Sequence, residues 1–220
     1  MARPTGDIAE EEVRIDLPDG THLEGVLTGP ADGPLVIFAH GSGSSRHSRR
    51  NRHVAKVLND HGLRTLLLDL LTPDEEQTDL VTARHRFDIE LLGARVENAI
   101  DWAVKNLNPP EVGLFGASTG AAAALMAAAS RPEEVGAIVS RGGRPDLAGT
   151  TLPEVQAPTL LIVGGRDTTV LDVNQSALEE LGPDHELEIV EGATHLFEEP
   201  GALDEVAALA ADWFQLYLIE

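Results

Sequence analysis

From residue 35 onward the apolar residues gather in short segments, at 35–39, 64–70, 111–115, 135–140, 159–163 and 186–190. Runs of this length, rich in Val, Ile and Leu, fit strands buried on both faces of a parallel sheet. Ahead of them, 13–17 and 22–28 alternate partially around Pro18-Asp19-Gly20 and predict an antiparallel hairpin, which needs no crossover helix. Between the runs, 46–61, 88–106, 119–130, 171–181 and 203–218 read as helices. Within 88–106, Ile89, Leu92, Val96, Ile100 and Val104 recur three or four apart, the spacing of a stripe laid against a sheet. Asn108-Pro109-Pro110 stops that helix, because proline lacks the amide donor and restricts the residue before it. The alternation predicts an eight-stranded α/β sandwich with a leading hairpin, helices on both faces and little or no cap. Residues 71–87 show no such period and read as a loop.

Composition narrows the possibilities. The chain has 220 residues, 42% of them hydrophobic, enough for one sizeable core, so 1–220 reads as a single domain. Its 37 acidic and 16 basic residues give a net charge of -21, a field that repels nucleic acids and anionic membranes. The absence of cysteine excludes disulfides, thiolate metal sites and a Cys nucleophile. The longest apolar run, Ala121 to Ala129, is nine residues, far short of a membrane span, and the first 20 residues lack a signal-type apolar core. A cytoplasmic protein without a membrane partner is expected. Only Lys56 and Lys105 are lysines, the other 14 basic residues being arginines. Such a carboxylate-rich shell suits high salt, where repulsion is screened, although a genome rich in Arg, Ala and Gly codons gives the same bias.

The sharpest local signal is Gly116-Ala117-Ser118-Thr119-Gly120, between an apolar strand and a helix of small residues. A nucleophile elbow turns sharply from strand to helix in a strained conformation, and small residues two before and two after the serine let the chains pass. The helix behind Ser118 also points free amides at the reaction centre. An activated serine needs a base, and the base an orienting carboxylate. Asp167, in Gly164-Gly165-Arg166-Asp167, and His195, in Glu191-Gly192-Ala193-Thr194-His195, each follow an apolar strand at the carboxyl edge of the sheet. The intervals of 49 and 28 residues are filled by strand-and-helix units. Taken singly, Asp167 reads equally as a helix-capping residue and His195 as one of eight histidines packed without a task. The Ser…Asp…His order favours the catalytic reading. Asp146 is the rival acid, ranked lower because Arg141 and Arg144 beside it offer ion-pair partners.

A second oxyanion donor is expected from the loop His40-Gly41-Ser42-Gly43-Ser44-Ser45, with the amide of Ser42 as partner to that of Thr119. The same loop also reads as a helix cap, with Ser44 or Ser45 as N-cap. Next comes a basic cluster, Arg46, Arg49, Arg50, Arg52 and Lys56, five positive charges in eleven residues. Arg46 or Arg50 is placed to hold a substrate carboxylate or phosphate, with Arg141 or Arg144 across the cleft and His40 beside it. A solvated face pairing with surface acids, or an interface, is the favoured reading of the run, since charge runs are usually solvated. The segment Gly41-Ser42-Gly43 after a strand also imitates a dinucleotide fingerprint, but Arg46 stands where its third glycine belongs. No phosphate loop or His-Glu-x-x-His motif occurs, so no metal or nucleotide cofactor is expected.

Taken together, the His40-Gly41 loop, the Ser118 elbow, the Gly165-Arg166-Asp167 turn and the Gly192-Ala193-Thr194-His195 turn resemble an α/β-hydrolase of the dienelactone hydrolase-like branch. The resemblance runs from the hairpin to the last helix. It implies strand order 1-2-4-3-5-6-7-8, a Ser118–His195–Asp167 triad, and cofactor-free hydrolysis of a small ester or lactone. One departure stands out: dienelactone hydrolases proper use a cysteine, and this chain carries Ser118, so the general ester chemistry carries over rather than the particular substrate. A non-catalytic ligand-binding module on the same shell is the alternative, since fold does not fix function. The sequence leaves oligomeric state open.

Overall fold

The computed structural model describes residues 10–182 and 184–219; the reading of residues 1–9 as free of a signal-type run lies outside them. Strands β1 (Glu11–Asp16), β2 (His22–Thr28), β3 (Leu35–Ala39), β4 (Arg64–Leu68), β5 (Val112–Ala117), β6 (Val135–Arg141), β7 (Thr159–Gly164) and β8 (His185–Val190) form one sheet. Their order is β1-β2-β4-β3-β5-β6-β7-β8, as the resemblance implies. β2 runs antiparallel to both β1 and β4, and the remaining pairings are parallel. The leading hairpin turns at Gly20, with φ 84°, while the Asp19 carboxylate accepts the Thr21 amide at 2.9 Å.

Alternation along β3 divides the core. Leu35 and Ile37 face α3 (Ile89–Leu107), α4 (Thr119–Ser130) and α5 (Thr168–Glu180), whereas Val36 and Phe38 face α1 (Arg49–Asp60) and α6 (Ala202–Leu218). The α3 stripe buries Leu92, Val96 and Ile100 as expected, but it continues through Ala99 and Ala103, and Val104 turns toward solvent. Burial on both faces holds for β3 and β5 but fails at β8, which closes the sheet edge and exposes Glu186 and Glu188.

Two elements depart from the sequence reading. Residues 71–87 are not a plain loop: they contain α2 (Pro73–Thr82), opened by a capping box in which Thr72 accepts the Glu75 amide and Glu75 accepts the Thr72 amide. Residues 145–154 form a short kinked 3-10 segment broken at Gly149, φ 56°. The start of α1 also moves, from 46 to 49, with Ser48 rather than Ser44 or Ser45 as N-cap. Arg46 is held in the preceding loop because its amide donates to Asp69 at 2.7 Å and its guanidinium pairs with the same carboxylate. Among the described residues, no helix is long and apolar enough to cross a membrane.

Candidate active site

Ser118 ends the central strand and opens α4 with φ 52° and ψ −121°, a conformation that costs a non-glycine residue strain and is kept where the surroundings impose it. Those surroundings are backbone. A Cβ on Gly116 would collide with the Cα of Ala121, and one on Gly120 with the carbonyl of Ala39. The crossing of β5, α4 and β3 is therefore possible only with glycine at both sites, which is the physical content of the five-residue motif. The Ser118 amide donates to the Arg141 carbonyl at 3.2 Å, and the Ser118 carbonyl accepts from Ala121 and Arg144 at 3.1 Å each. These bonds fix the turn on three sides.

His195 and Asp167 meet as the spacing predicts. Asp167 Oδ2 accepts from His195 Nδ1 at 2.6 Å, with Asp167 largely buried. Proton and carboxylate on that side leave Nε2 as the free lone pair of a neutral imidazole. The ring lies beside the serine turn: a Cβ on Gly142, the residue after Arg141, would stand 3.5 Å from His195 Nδ1. No hydrogen bond closes Ser118 to Nε2 among the described residues, a looseness common before substrate binds. The His195 turn is braced by Glu199, which accepts the Thr194 amide at 3.1 Å and the Thr194 hydroxyl at 2.7 Å. The hydroxyl bond, with the amide, holds the Glu199 carboxyl below its ordinary pKa. Asp146, the rival acid, is taken by Arg144 in a two-pronged pair at 2.8 and 2.6 Å.

The loop at 40–45 lies against the nucleophile, since a Cβ on Gly41 would be 3.0 Å from Cβ of Ser118. Ser42 sits inside a turn closed by the Ser44 amide on the Gly41 carbonyl at 3.1 Å, and Thr119 is the first residue of α4, where amides lack intrahelical partners. A pocket opens on this side between the loop, the end of β4 and α2, lined by His40, Ser42, Ser44, Leu71, Leu80 and Arg86 among others.

The expected substrate-binding set divides sharply. His40 is corrected to a structural residue: Nδ1 bonds the Gly41 carbonyl at 2.9 Å, and Nε2 accepts the Leu70 amide at 3.1 Å. Burial pushes its pKa down, in keeping with a neutral ring committed at both nitrogens. Arg46 is consumed by Asp69 and by Glu24 at 2.7 Å, and Arg144 by Asp146, so neither guanidinium is free for a ligand. Arg50 reaches only Glu198, at 3.4 Å. Within this set only the Arg141 side chain has no hydrogen bond or ion pair among the described residues, and its Nε and Nη1 are buried without partners.

The family model of the α/β-hydrolase fold matches residues 34–157. A crystal structure of a dienelactone hydrolase from Anabaena variabilis is 54% identical, covers 97% of this chain and all of its own, and superposes with a TM-score of 0.94. The chain belongs to the α/β-hydrolase family. Within it, the dienelactone hydrolase-like branch holds this nearly superposable relative. An esterase of Pyrococcus furiosus shares the fold at a TM-score of 0.80 with 19% identity, covering 96% of this chain and 94% of its own. A Mycobacterium tuberculosis protein provisionally named a phosphoribosyl transferase is 53% identical over 94% of this chain, but the match takes in 46% of that protein. The chain thus spans about half the length of the curated relatives it matches.

Proposed function

We propose that the protein is a serine hydrolase that cleaves carboxylic esters or lactones through an acyl-enzyme on Ser118. The observation that carries this reading is the 2.6 Å bond from His195 to Asp167 beside a serine held at φ 52°. In the mechanism it supports, Nε2 of neutral His195 takes the Ser118 proton as Oγ attacks the ester carbonyl. The Ser42 and Thr119 amides receive the oxyanion of the tetrahedral intermediate. Collapse breaks the bond to the leaving alcohol, which receives the proton from the imidazolium. Water then gives a proton to His195 as its oxygen attacks the acyl carbon; collapse breaks the bond to Oγ, which takes the proton back from the imidazolium, releasing the acid and free Ser118. Asp167 keeps the imidazole in the productive tautomer and stabilises its positive form.

The dienelactone hydrolase name of the Anabaena relative supports small esters and lactones as the substrate class. The phosphoribosyl transferase name belongs to proteins about twice this length, and no feature of the Ser118 site favours it. A fluorophosphonate probe tests the reading, because labelling requires an activated serine. Labelling of the wild type that vanishes in Ser118→Ala supports the hydrolase. An unlabelled, folded wild type without esterase turnover points instead to a ligand-binding module on this shell.

A further inference from the structure

With 37 acidic against 16 basic residues, this chain has carboxylates to spare for every arginine. Arg46, Arg52, Arg86, Arg95, Arg131 and Arg144 all take one. Exposed Arg14, Arg49, Arg84 and Arg166 take none among the described residues; of the arginines withdrawn from solvent, Arg141 is the exception. It is only 8% exposed, yet two of its three nitrogens are buried with no partner, and burial pushes its pKa down to about 10. The second cause of that depression is the like charge of Arg50. Arg50 is itself undersupplied: its Nε is buried and unpaired, and its one acid, Glu198, stands at 3.4 Å. Two guanidinium groups held near each other, with one carboxylate, 3.4 Å from Arg50, for the two, cost folding free energy.

The position of the pair gives that cost a purpose. Arg141 ends β6 on the face shared by Ala137 and Val139, the side covered by α1, where Arg50 occupies the first turn. Its carbonyl receives the Ser118 amide, and the next residue, Gly142, borders His195. Glu198, the acid that Arg50 touches, is three residues beyond His195. The two arginines thus flank the loop that carries the imidazole.

We infer that Arg141 and Arg50 together hold a carboxylate or phosphate group of the substrate, so that the preferred ester is anionic. The inference rests on the hydrolase reading and deepens it from esters in general to negatively charged ones. A planar fork in a desolvated site recognises an oxyanion through two parallel N–H bonds, and the neighbouring guanidinium adds a third donor and a second charge. Neutral esters leave that pair unsatisfied.

The test uses matched substrates at low ionic strength. The first pair is mono-4-nitrophenyl succinate against 4-nitrophenyl butyrate, with the charge on the acyl side. The second is 3-carboxyphenyl acetate against phenyl acetate, with the charge on the leaving group. The ratio of kcat/KM, anionic over neutral, is expected to fall roughly tenfold to a hundredfold in Arg141→Met for at least one pair, with partial recovery in Arg141→Lys. Ratios within about threefold of wild type for both pairs overturn the inference. Should the melting curve show Arg141→Met unfolded, Arg50→Gln is read by the same criterion. Calorimetry on Ser118→Ala separates this inference from the hydrolase reading, since binding needs no turnover. Succinate or inorganic phosphate should bind Ser118→Ala and lose that binding in the Ser118→Ala, Arg141→Met double variant; the anion that binds more tightly identifies the group. Absence of binding by both anions overturns the site even if the enzyme is an active esterase.

Discussion

On one side of the Ser118 turn, the proposed Asp167 and His195 sit on short turns at the ends of β7 and β8. On the opposite side, residues 69–88 form α2 and its flanks, with Leu80, Val81 and Phe87 exposed at 74%, 87% and 59%. The first wall is fixed by the sheet: the Gly165 amide donates to Val190 at 2.9 Å, Arg166 to Ala193 at 2.9 Å, and Asp167 to Gly164 at 2.9 Å. The second is fixed by polar side chains. Buried Asp79 accepts from the amides of His85 and Arg86 at 2.7 and 3.0 Å and from Arg86 Nε at 2.6 Å, and Glu75 accepts from Arg95 at 2.7 Å. Burial works against the Asp79 charge, but the bonds from Arg86 and His85 prevail and hold its pKa below the ordinary range. Under the proposed reading, chemistry that tolerates no displacement would stand on strand ends, while residues 69–88, which border the pocket, are pinned by a few ionic contacts.

Breaking the first wall should have the largest effect. Ser118→Ala is expected to lower short-ester turnover by at least about 10⁴-fold with an unchanged melting curve, measured on purified protein. Retained turnover within about tenfold would remove the serine from the reaction. Asp167→Asn should cost about 10³- to 10⁴-fold by misplacing the His195 tautomer, and Asp146→Asn less than about tenfold, since Asp146 serves only Arg144. The reverse ranking would transfer the orienting role to Asp146.

The second wall should respond differently. Asp79→Ala is expected to lower the melting temperature by about 3–8 °C and to alter KM across ester sizes more than kcat. A loss of kcat equal for all esters would contradict a wall concerned with substrate fit. The smallest effect is expected from salt. If carboxylate repulsion opposes folding, the melting temperature should climb by a few degrees as sodium chloride rises to about 1 M, where the Debye length is roughly 3 Å. A flat profile would discard salt adaptation and leave the catalytic assignment intact.

The same contrast explains what was legible in the sequence. Strand ends were readable because β5 and β7 write themselves as apolar runs and β8 as a shorter apolar stretch interrupted by Glu186 and Glu188, and the residue after such a strand is placed by the sheet. The helix α2 was not, because helical reading relied on an apolar stripe and its two large apolar residues, Leu80 and Val81, are both exposed. Its other signature, Thr72 with Pro73 and Glu75, was present and would have found it. The basic cluster was visible as composition only. Which arginine meets an acid depends on long-range approach, Arg46 to Asp69 and Glu24 across three elements, so that its occupation and the isolation of Arg141 emerged only in three dimensions.

Among the described residues, β1 and β8 are the two margins of the sheet, and both are written in charge. β1 shows Glu11, Glu12, Arg14 and Asp16 to solvent, and β8 shows Glu186 and Glu188. Each margin carries a row of backbone donors and acceptors that a strand from another copy would find complementary. A second β8 laid antiparallel against the first would bring carboxylates within about 5 Å of one another, where like charges repel. The surplus of acid that shapes the protein's outer field therefore also opposes the pairing of two β8 edges, an opposition that weakens as salt is added.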